Sequence, residues 1–169
     1  ATFTDGAMRC WGDGSEGQLG LNSTASTSSP LTLAHSSSAT PILSSSGEKH
    51  TCALFSDGNV SCWGNGADGR LGNGDENASL TPSLPLDFGA NRTAISLSSG
   101  SAHSCAVLED GNLSCWGLGT RSRVGDASNQ SSISPRNITS FQGNVNAVAV
   151  SAGGAHACTL LSNQTVNCW

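Results

Sequence analysis

The strongest constraint on this chain is an internal repeat of 53 residues. A Cys-Trp dipeptide stands at positions 10, 62, 115 and 168, and a further cysteine lies ten residues before the last three of these, at 52, 105 and 158. The surrounding residues repeat as well: residues 46–64 read SGEKHTCALFSDGNVSCWG, and residues 99–117 read SGSAHSCAVLEDGNLSCWG. A period of this length is typical of propeller blades and solenoids.

A hairpin at the centre of each unit has the clearest local signal. Apolar segments flank the Asp-Gly pair at 57–58, which is typical of a β-hairpin turn. With a three-residue loop and the glycine in the left-handed region, Cys52 lies directly opposite Cys62, within disulfide reach if the two form a non-hydrogen-bonded pair. Leu54 and Val60 then share one face, and we expect both in the core.

Two further strands complete each predicted unit. Residues 94–98 and 145–150 alternate apolar and polar side chains, which predicts half-buried strands before the hairpin. A fourth, less regular strand is expected after the proline-containing segments, at 84–86 and at 133–138.

The pattern G-x-x-H-[TS]-C-A-L-x-x-D-G-x-V-x-C-W-G, followed by G-x-x-G-x-L-G, covers essentially the whole chain. It resembles the repeat of the regulator of chromosome condensation family. The resemblance implies a β-propeller, commonly of about seven four-stranded blades. The version with two cysteines flanking the hairpin resembles secreted or cell-surface members, such as the ectodomains of crinkly-type plant receptor kinases. The expected fold is all-β, with propeller-type four-stranded antiparallel blades in about three repeats, as an open arc or as part of a larger propeller or stacked repeat assembly.

The repeat divides the chain into four predicted units. They are the end of a first blade at 1–20, blade repeats at 21–72 and 73–125, and a repeat at 126–169 that is cut at its end. This number cannot close a ring of about seven blades. We call the segments 12–20, 64–72 and 117–125, each following a Cys-Trp dipeptide, the first, second and third Gly-rich tails. Two positions depart from the pattern: Gln164 stands where the hairpin turn has glycine, and Ser122 stands where the first two tails have glycine.

The cysteines and the recurring aromatic residues receive structural roles. The predicted disulfides are 52–62, 105–115 and 158–168. We expect Cys10 to pair outside this segment because Ala1 aligns with Ala53; a free buried thiol is the alternative.

A histidine lies two residues before the first cysteine of each pair, and the three side chains could be zinc ligands. No fourth ligand recurs at a fixed offset, and we interpret the histidine as a structural hydrogen-bonding residue. The predicted blade-core residues are Trp11, Trp63, Trp116, Trp169, His50, His103 and His156.

Asn-x-Ser/Thr sequons are more frequent than chance predicts. The N-glycosylation candidates are Asn22, Asn59, Asn77, Asn91, Asn112, Asn129, Asn137 and Asn163. Asn59 and Asn112 belong to the hairpin motif and could simply be turn residues, and Asn163 lies in the turn itself. Together with paired cysteines they favour a eukaryotic protein made in the secretory pathway, extracellular or at the cell surface. The Ser/Thr-rich tract 22–46 could carry O-glycans or could be a plain flexible loop.

Several functional classes are disfavoured by the sequence. A net charge of −5 with only seven Lys and Arg argues against nucleic-acid binding, and no apolar run is long enough for a membrane span in this segment. Histidine and serine recur in every repeat as structural residues do, no carboxylate pair stands out, and the Gly-rich tails lack a phosphate-loop lysine. We therefore expect no enzymatic activity and no cofactor or metal; a calcium site at 66–69 and 75–77 matches no complete ligand loop.

The leading functional hypothesis is a non-enzymatic extracellular structural glycoprotein. Its disulfide-linked blades would build a filament, appendage or coat, with other copies of itself, further repeats of the same chain and N-linked glycans as partners. The alternative is a ligand- or protein-binding propeller ectodomain of a cell-surface receptor. Guanine-nucleotide exchange and secreted enzyme inhibition are remote alternatives that rest on the family resemblance.

Overall fold

The computed structural model describes residues 1–35, 37–139 and 145–169, and it confirms an all-β chain built of antiparallel, blade-like sheets. Two three-residue 3-10 turns lie in the Gly-rich tails, at Ala67–Gly69 and Thr120–Ser122. The strands are β1 Arg9–Gly12, β2 Thr27–Thr32, β3 Pro41–Ser46, β4 His50–Phe55, β5 Val60–Gly64, β6 Ala94–Ser99, β7 His103–Leu108, β8 Leu113–Gly117, β9 Ser132–Ile138, β10 Ala147–Ala152, β11 Ala157–Leu161 and β12 Val166–Cys168.

The strands form four sheets that follow one another along the chain. Their strand orders are β1-β2, β3-β4-β5, β6-β7-β8-β9 and β10-β11-β12. The four-stranded sheet runs from Ala94 to Ile138 and therefore crosses the sequence boundary between the units 73–125 and 126–169. The sheets are thus offset from the repeat units of the sequence. The Ser/Thr-rich tract 22–46 contains β2 and β3, so the expectation of a plain flexible loop is wrong there, and Ser36 lies outside the described residues.

The central hairpin has the predicted register. Gly58 has φ 79°, Cys52 pairs with Cys62, and Leu54 pairs with Val60. Leu54 and Val60 are both buried, as predicted. In the last hairpin Gln164 occupies the left-handed region with φ 69°, a conformation that favours glycine.

The fourth strand forms in only one of its two predicted places. β9 at Ser132–Ile138 confirms the prediction for 133–138, but 84–86 is not a strand. The backbone N–H groups of Ser83 and Leu86 still donate to Cys62 O and Val60 O, at 3.1 and 2.8 Å. These donors lie three residues apart, whereas the equivalent residues Arg136 and Ile138 of β9 lie two apart, so the extra residue interrupts regular pairing.

Consecutive sheets pack face to face, always with the same face of one sheet against the opposite face of the next. We call the face that carries the cysteine pair the front face, and the face that carries the tryptophan the back face. Leu54 and Val60 on the front of one sheet pack in one core cluster with Leu108 and Trp116 on the back of the next sheet. The other two junctions repeat this packing, so each core belongs to a pair of blades rather than to one blade.

Candidate functional site

The junctions between blades carry a recurring set of specific contacts. At each junction an indole Nε1 donates to a backbone oxygen in the Gly-rich tail of the preceding blade. The three bonds join Trp63 to Gln18 at 3.0 Å, Trp116 to Arg70 at 3.1 Å and Trp169 to Arg123 at 3.1 Å. This contact satisfies the one polar group of a buried tryptophan, and it ties neighbouring blades together. The sequence placed the tryptophans in the blade core but did not reveal their acceptors.

A glycine in each tail makes room for the tryptophan of the next blade. A Cβ built on Gly20 would lie 2.7 Å from Trp63 Nε1, and a Cβ on Gly72 would lie 2.7 Å from Trp116 Cδ1. Both glycines also have φ near 70°. Steric space and backbone conformation therefore both require glycine at this point of the repeat.

Two buried histidines, His50 and His103, lie at the same junctions. His50 is fully buried, with Nε2 2.8 Å from Ser104 Oγ of the following blade. Burial, aided by the charges of Arg70 and His103, lowers the pKa of His50 to about 3. Burial and the charge of Arg123 lower the pKa of His103 to about 4. Both side chains are therefore neutral at neutral pH, and both are buried, as predicted for blade-core residues. His50 is hydrogen-bonded as expected, whereas neither ring nitrogen of His103 has a hydrogen-bond partner among the described residues.

The strands β3, β6 and β10 contact one another from blade to blade, and we call them the inner strands. Serine side chains link them: Ser99 N donates to Ser45 Oγ at 2.8 Å, and Ala152 N donates to Ser98 Oγ at 2.9 Å. An apolar side chain at an equivalent position of each inner strand faces solvent. These side chains are Ile42, Ile95 and Val148, and each is about half exposed.

The two outermost faces of the stack are uncovered. On the back face of the first blade Trp11 is 48% exposed, so its assignment to the blade core is wrong in this structure. On the front face of the last blade Val166 is 61% exposed, and His156 is exposed as well, which also contradicts its predicted core position. The physical reason is the same in both cases: burial of these residues requires a neighbouring blade, and none covers these faces. Trp169 is half-buried.

The cysteines form the three predicted disulfides. Cys52–Cys62, Cys105–Cys115 and Cys158–Cys168 each join residues whose Cα atoms lie 4.0–4.1 Å apart. Cys10 is a half-buried free thiol whose pKa is raised by burial. It borders a cavity of about 300 Å³ between the first two blades, together with Trp11, Ser46 and Gly47. The pairing of Cys10 outside this segment stays a prediction.

The sequons lie on the surface. Asn112 is half-buried, and the other seven asparagines are exposed; these are Asn22, Asn59, Asn77, Asn91, Asn129, Asn137 and Asn163. Their occupancy by glycans stays a prediction. Among the described residues no group of three His, Cys, Asp or Glu side chains is arranged to hold a metal ion, and no helix there has the length and apolarity to cross a membrane.

Comparison with known sequences identifies the repeat. A family model described as "Regulator of chromosome condensation (RCC1) repeat" matches residues 5–54, 57–107 and 110–160. The human E3 ubiquitin-protein ligase HERC2 is 31% identical over the whole chain, which spans 4% of that protein. The ultraviolet-B receptor UVR8 of Arabidopsis thaliana is 31% identical over 79% of the chain, which spans 30% of that receptor.

Comparison with solved structures supports the same fold. Prp20p of Saccharomyces cerevisiae, described together with its binding to Gsp1p and histones, matches with a TM-score of 0.84 at 23% identity, over 94% of this chain and 40% of Prp20p. The ectodomain of the Arabidopsis thaliana receptor kinase ACR4 matches with a TM-score of 0.53 at 21% identity, over 83% of this chain and 41% of that one. At these identities the likeness shows the fold, and the chain spans less than half of each structure.

Proposed function

Because the chain belongs to the regulator of chromosome condensation (RCC1) repeat family, we propose that it is a non-enzymatic structural glycoprotein of the extracellular space or cell surface. Its disulfide-linked blades build a larger assembly by stacking front face on back face. The observation that carries this proposal is the chemical match between the two uncovered faces. Each carries the residue types that are buried wherever two blades meet inside the chain.

The match can be followed residue by residue. The uncovered front face presents Leu160 and Val166, which correspond to the buried Leu54 and Val60. The uncovered back face presents Phe3 and Trp11, which correspond to the buried Phe55 and Trp63. Exposed large apolar side chains grouped on one face mark an interaction surface. A blade of the same type, from another copy or from further repeats of the same chain, covers such a face with the packing that already exists inside the molecule.

Faces of this kind give a heterologous, head-to-tail contact. The back face of one stack meets the front face of the next, and the contact leaves a new front face and a new back face free at the two ends. Such contacts close into rings or extend into filaments, depending on the rotation per unit. A closed ring or a filament is therefore the expected product.

Three disulfides and eight sequons support the extracellular setting. Disulfides persist in oxidising compartments, and exposed Asn-x-Ser/Thr sites are glycosylated in the secretory pathway. Expression as a secreted protein in a eukaryotic host, followed by intact-mass measurement before and after glycosidase treatment, tests this part. A mass loss on treatment supports it, and an unchanged mass contradicts it.

Sedimentation velocity over a range of concentrations tests the assembly. The wild-type chain is expected to form larger species as its concentration rises, whereas Val166→Asp and Trp11→Asp each remain smaller because a charge on an apolar face opposes burial. Leu84→Asp is the matched control, since Leu84 is 82% exposed and lies outside both faces. A wild-type chain that sediments as a single species at every concentration, or face variants that associate like the control, would contradict the proposal.

The exposed apolar row on the inner strands favours a second candidate, a ligand-binding ectodomain. Ile42, Ile95 and Val148 lie at equivalent positions of adjacent strands and could line a groove for an extended apolar peptide. Selection from a displayed peptide library tests it. Enrichment of apolar peptides that Ile95→Ser abolishes and Val166→Asp leaves intact supports this function, whereas enrichment unaffected by Ile95→Ser contradicts it.

A further inference from the structure

Among the described residues, five of the seven basic side chains are held in ion pairs, and the other two lie two residues apart in the sequence. The pairs are Arg9–Asp5, Lys49–Glu16, Arg70–Asp68, Arg92–Asp110 and Arg136–Asp126. The remaining cations are Arg121 and Arg123, two residues apart in the third Gly-rich tail. In a chain of net charge −5, acidic residues outnumber basic ones by 12 to 7, yet neither of these two cations has a carboxylate partner among the described residues.

The second tail shows what the third one lacks. Arg70 Nε donates to Ala67 O at 2.8 Å, and Arg123 Nε donates to Thr120 O at 2.9 Å, so the two guanidinium groups start from the same local geometry. The residue two positions earlier has a left-handed backbone in both tails, with φ 60° at Asp68 and φ 62° at Arg121. The loops therefore have the same shape. In the second tail Asp68 accepts from Arg70 at 3.0 Å, and in the third tail that carboxylate is replaced by a second guanidinium.

Burial distinguishes this pair from an ordinary solvated charge. Arg123 is only 7% exposed, yet no carboxylate neutralises it within the described part of the chain. Among the described contacts, its side chain makes one hydrogen bond, from Nε to the backbone oxygen of Thr120. Arg121 is exposed. A largely buried guanidinium without a carboxylate partner, two residues from an exposed one, suits an oxyanion, because guanidinium groups donate paired hydrogen bonds to carboxylate, sulfate and phosphate.

We propose that Arg121 and Arg123 form an oxyanion-binding site in the third Gly-rich tail, where an external carboxylate, sulfate or phosphate group takes the place that Asp68 occupies in the second tail. The site is independent of the uncovered end faces and of the inner strands. Its ligand is an acidic group on a partner molecule or a free oxyanion. Binding neutralises the buried guanidinium group of Arg123.

Titration of the ¹⁵N-labelled chain, observed at the arginine Nε–Hε signals, tests the site. Sodium sulfate, sodium phosphate and sodium acetate are added separately at constant ionic strength. Saturable shifts confined to Arg121 and Arg123 are expected, with the paired arginines such as Arg92 as internal references. Saturation by acetate alone assigns a carboxylate ligand, and saturation by sulfate or phosphate alone assigns a tetrahedral oxyanion. Shifts that do not saturate with any probe, or that spread evenly over all arginines, overturn the proposal.

Two exchanges between tails serve as matched variants. Arg121→Asp restores the carboxylate found in the second tail; it is expected to weaken oxyanion affinity at least tenfold and to raise the thermal midpoint in the absence of anion. Asp68→Arg copies the third tail into the second and is expected to add a second saturable site at Arg70. If Arg121→Asp folds and titrates like the wild type, the proposal fails, whether or not Asp68→Arg is stable enough to measure.

Discussion

Trp116 Nε1 donates a 3.1 Å hydrogen bond to the backbone oxygen of Arg70, which lies in the tail of the preceding blade. Gly72, two residues after Arg70, lies against the same indole ring. The bond and the close glycine contact recur at the other junctions, 46 or 45 residues apart in sequence. The Gly-rich tail therefore accepts the tryptophan of the next blade, through one hydrogen bond and one close glycine contact.

Replacing Gly72 by alanine is expected to destabilise the chain by about 2 kcal/mol or more, because the added Cβ meets the Trp116 ring and the left-handed backbone is strained for alanine. Chemical denaturation measures the change. Gly74→Ala is the matched control: its φ is 95°, but nothing lies within 4 Å of the added Cβ, so only the backbone strain should appear. Equal losses in the two variants would show that the glycine does not serve the tryptophan.

Stability is expected to fall as the pH drops below 6.5, through the buried histidines. The pKa of His50 is about 3 in the folded chain and near 6.5 when unfolded, so between these values the unfolded chain binds the extra proton. His50 alone then costs about 1.4 kcal/mol per pH unit across that window and contributes no slope above it. Denaturation at several pH values should show that the free energy of unfolding falls less steeply with decreasing pH in His50→Gln than in the wild type. Identical slopes would mean that the pKa of His50 is the same in the folded and unfolded chain.

The three disulfides are expected to differ in their resistance to a reductant under native conditions. Cys168 is exposed and Cys158 is half-buried, whereas the cysteines of the other two pairs are fully buried. Because a thiolate must reach the sulfur it attacks, Cys158–Cys168 should open first. Alkylation after brief reduction, followed by peptide mapping, reports the order. In denaturant the three should react alike, and a buried pair opening first in the native chain would contradict the described packing.

Glycine in place of Gln164 is expected to stabilise the last hairpin by roughly 0.5–1 kcal/mol, because Gln164 has φ 69° and glycine adopts that conformation without strain. Thermal or chemical unfolding reports the gain. The converse change, Gly58→Ala, should destabilise the equivalent turn, since its Cβ would also lie 2.4 Å from Thr93 Cβ. A loss of stability in Gln164→Gly would show that the side chain of Gln164 makes a contact worth more than the backbone strain.

The sequence correctly predicted the features that depend on residues close together in the chain. The Asp-Gly turn and the alternation around it predicted the pairing of Cys52 with Cys62 and the burial of Leu54, because a hairpin register depends on residues a few positions apart. The segment 84–86 shows the limit of this reasoning. It aligns with a strand in the next repeat, but an extra residue between the donors Ser83 and Leu86 interrupts its regular pairing with β5.

Burial at the ends of the stack could not be predicted from the repeat. Trp11 and Trp63 occupy the same position of the pattern, but only Trp63 has a blade against its face. The repeat describes one blade, whereas the cores lie between blades, so equivalent residues differ in exposure. The Trp–tail hydrogen bonds escaped prediction for the same reason, because they join segments from different units. The replacement of Asp68 by Arg121 was visible in the sequence, but its meaning required the shared loop geometry.

Hydrogen–deuterium exchange as a function of protein concentration tests most directly whether the uncovered faces meet. Stacking predicts that protection rises with concentration in residues 1–12 and 157–169 together, while the interior hairpin at 50–64 does not change. Both segments should lose this dependence in Val166→Asp. Exchange that is independent of concentration at both ends, or a change confined to one of them, would contradict head-to-tail stacking of the blades.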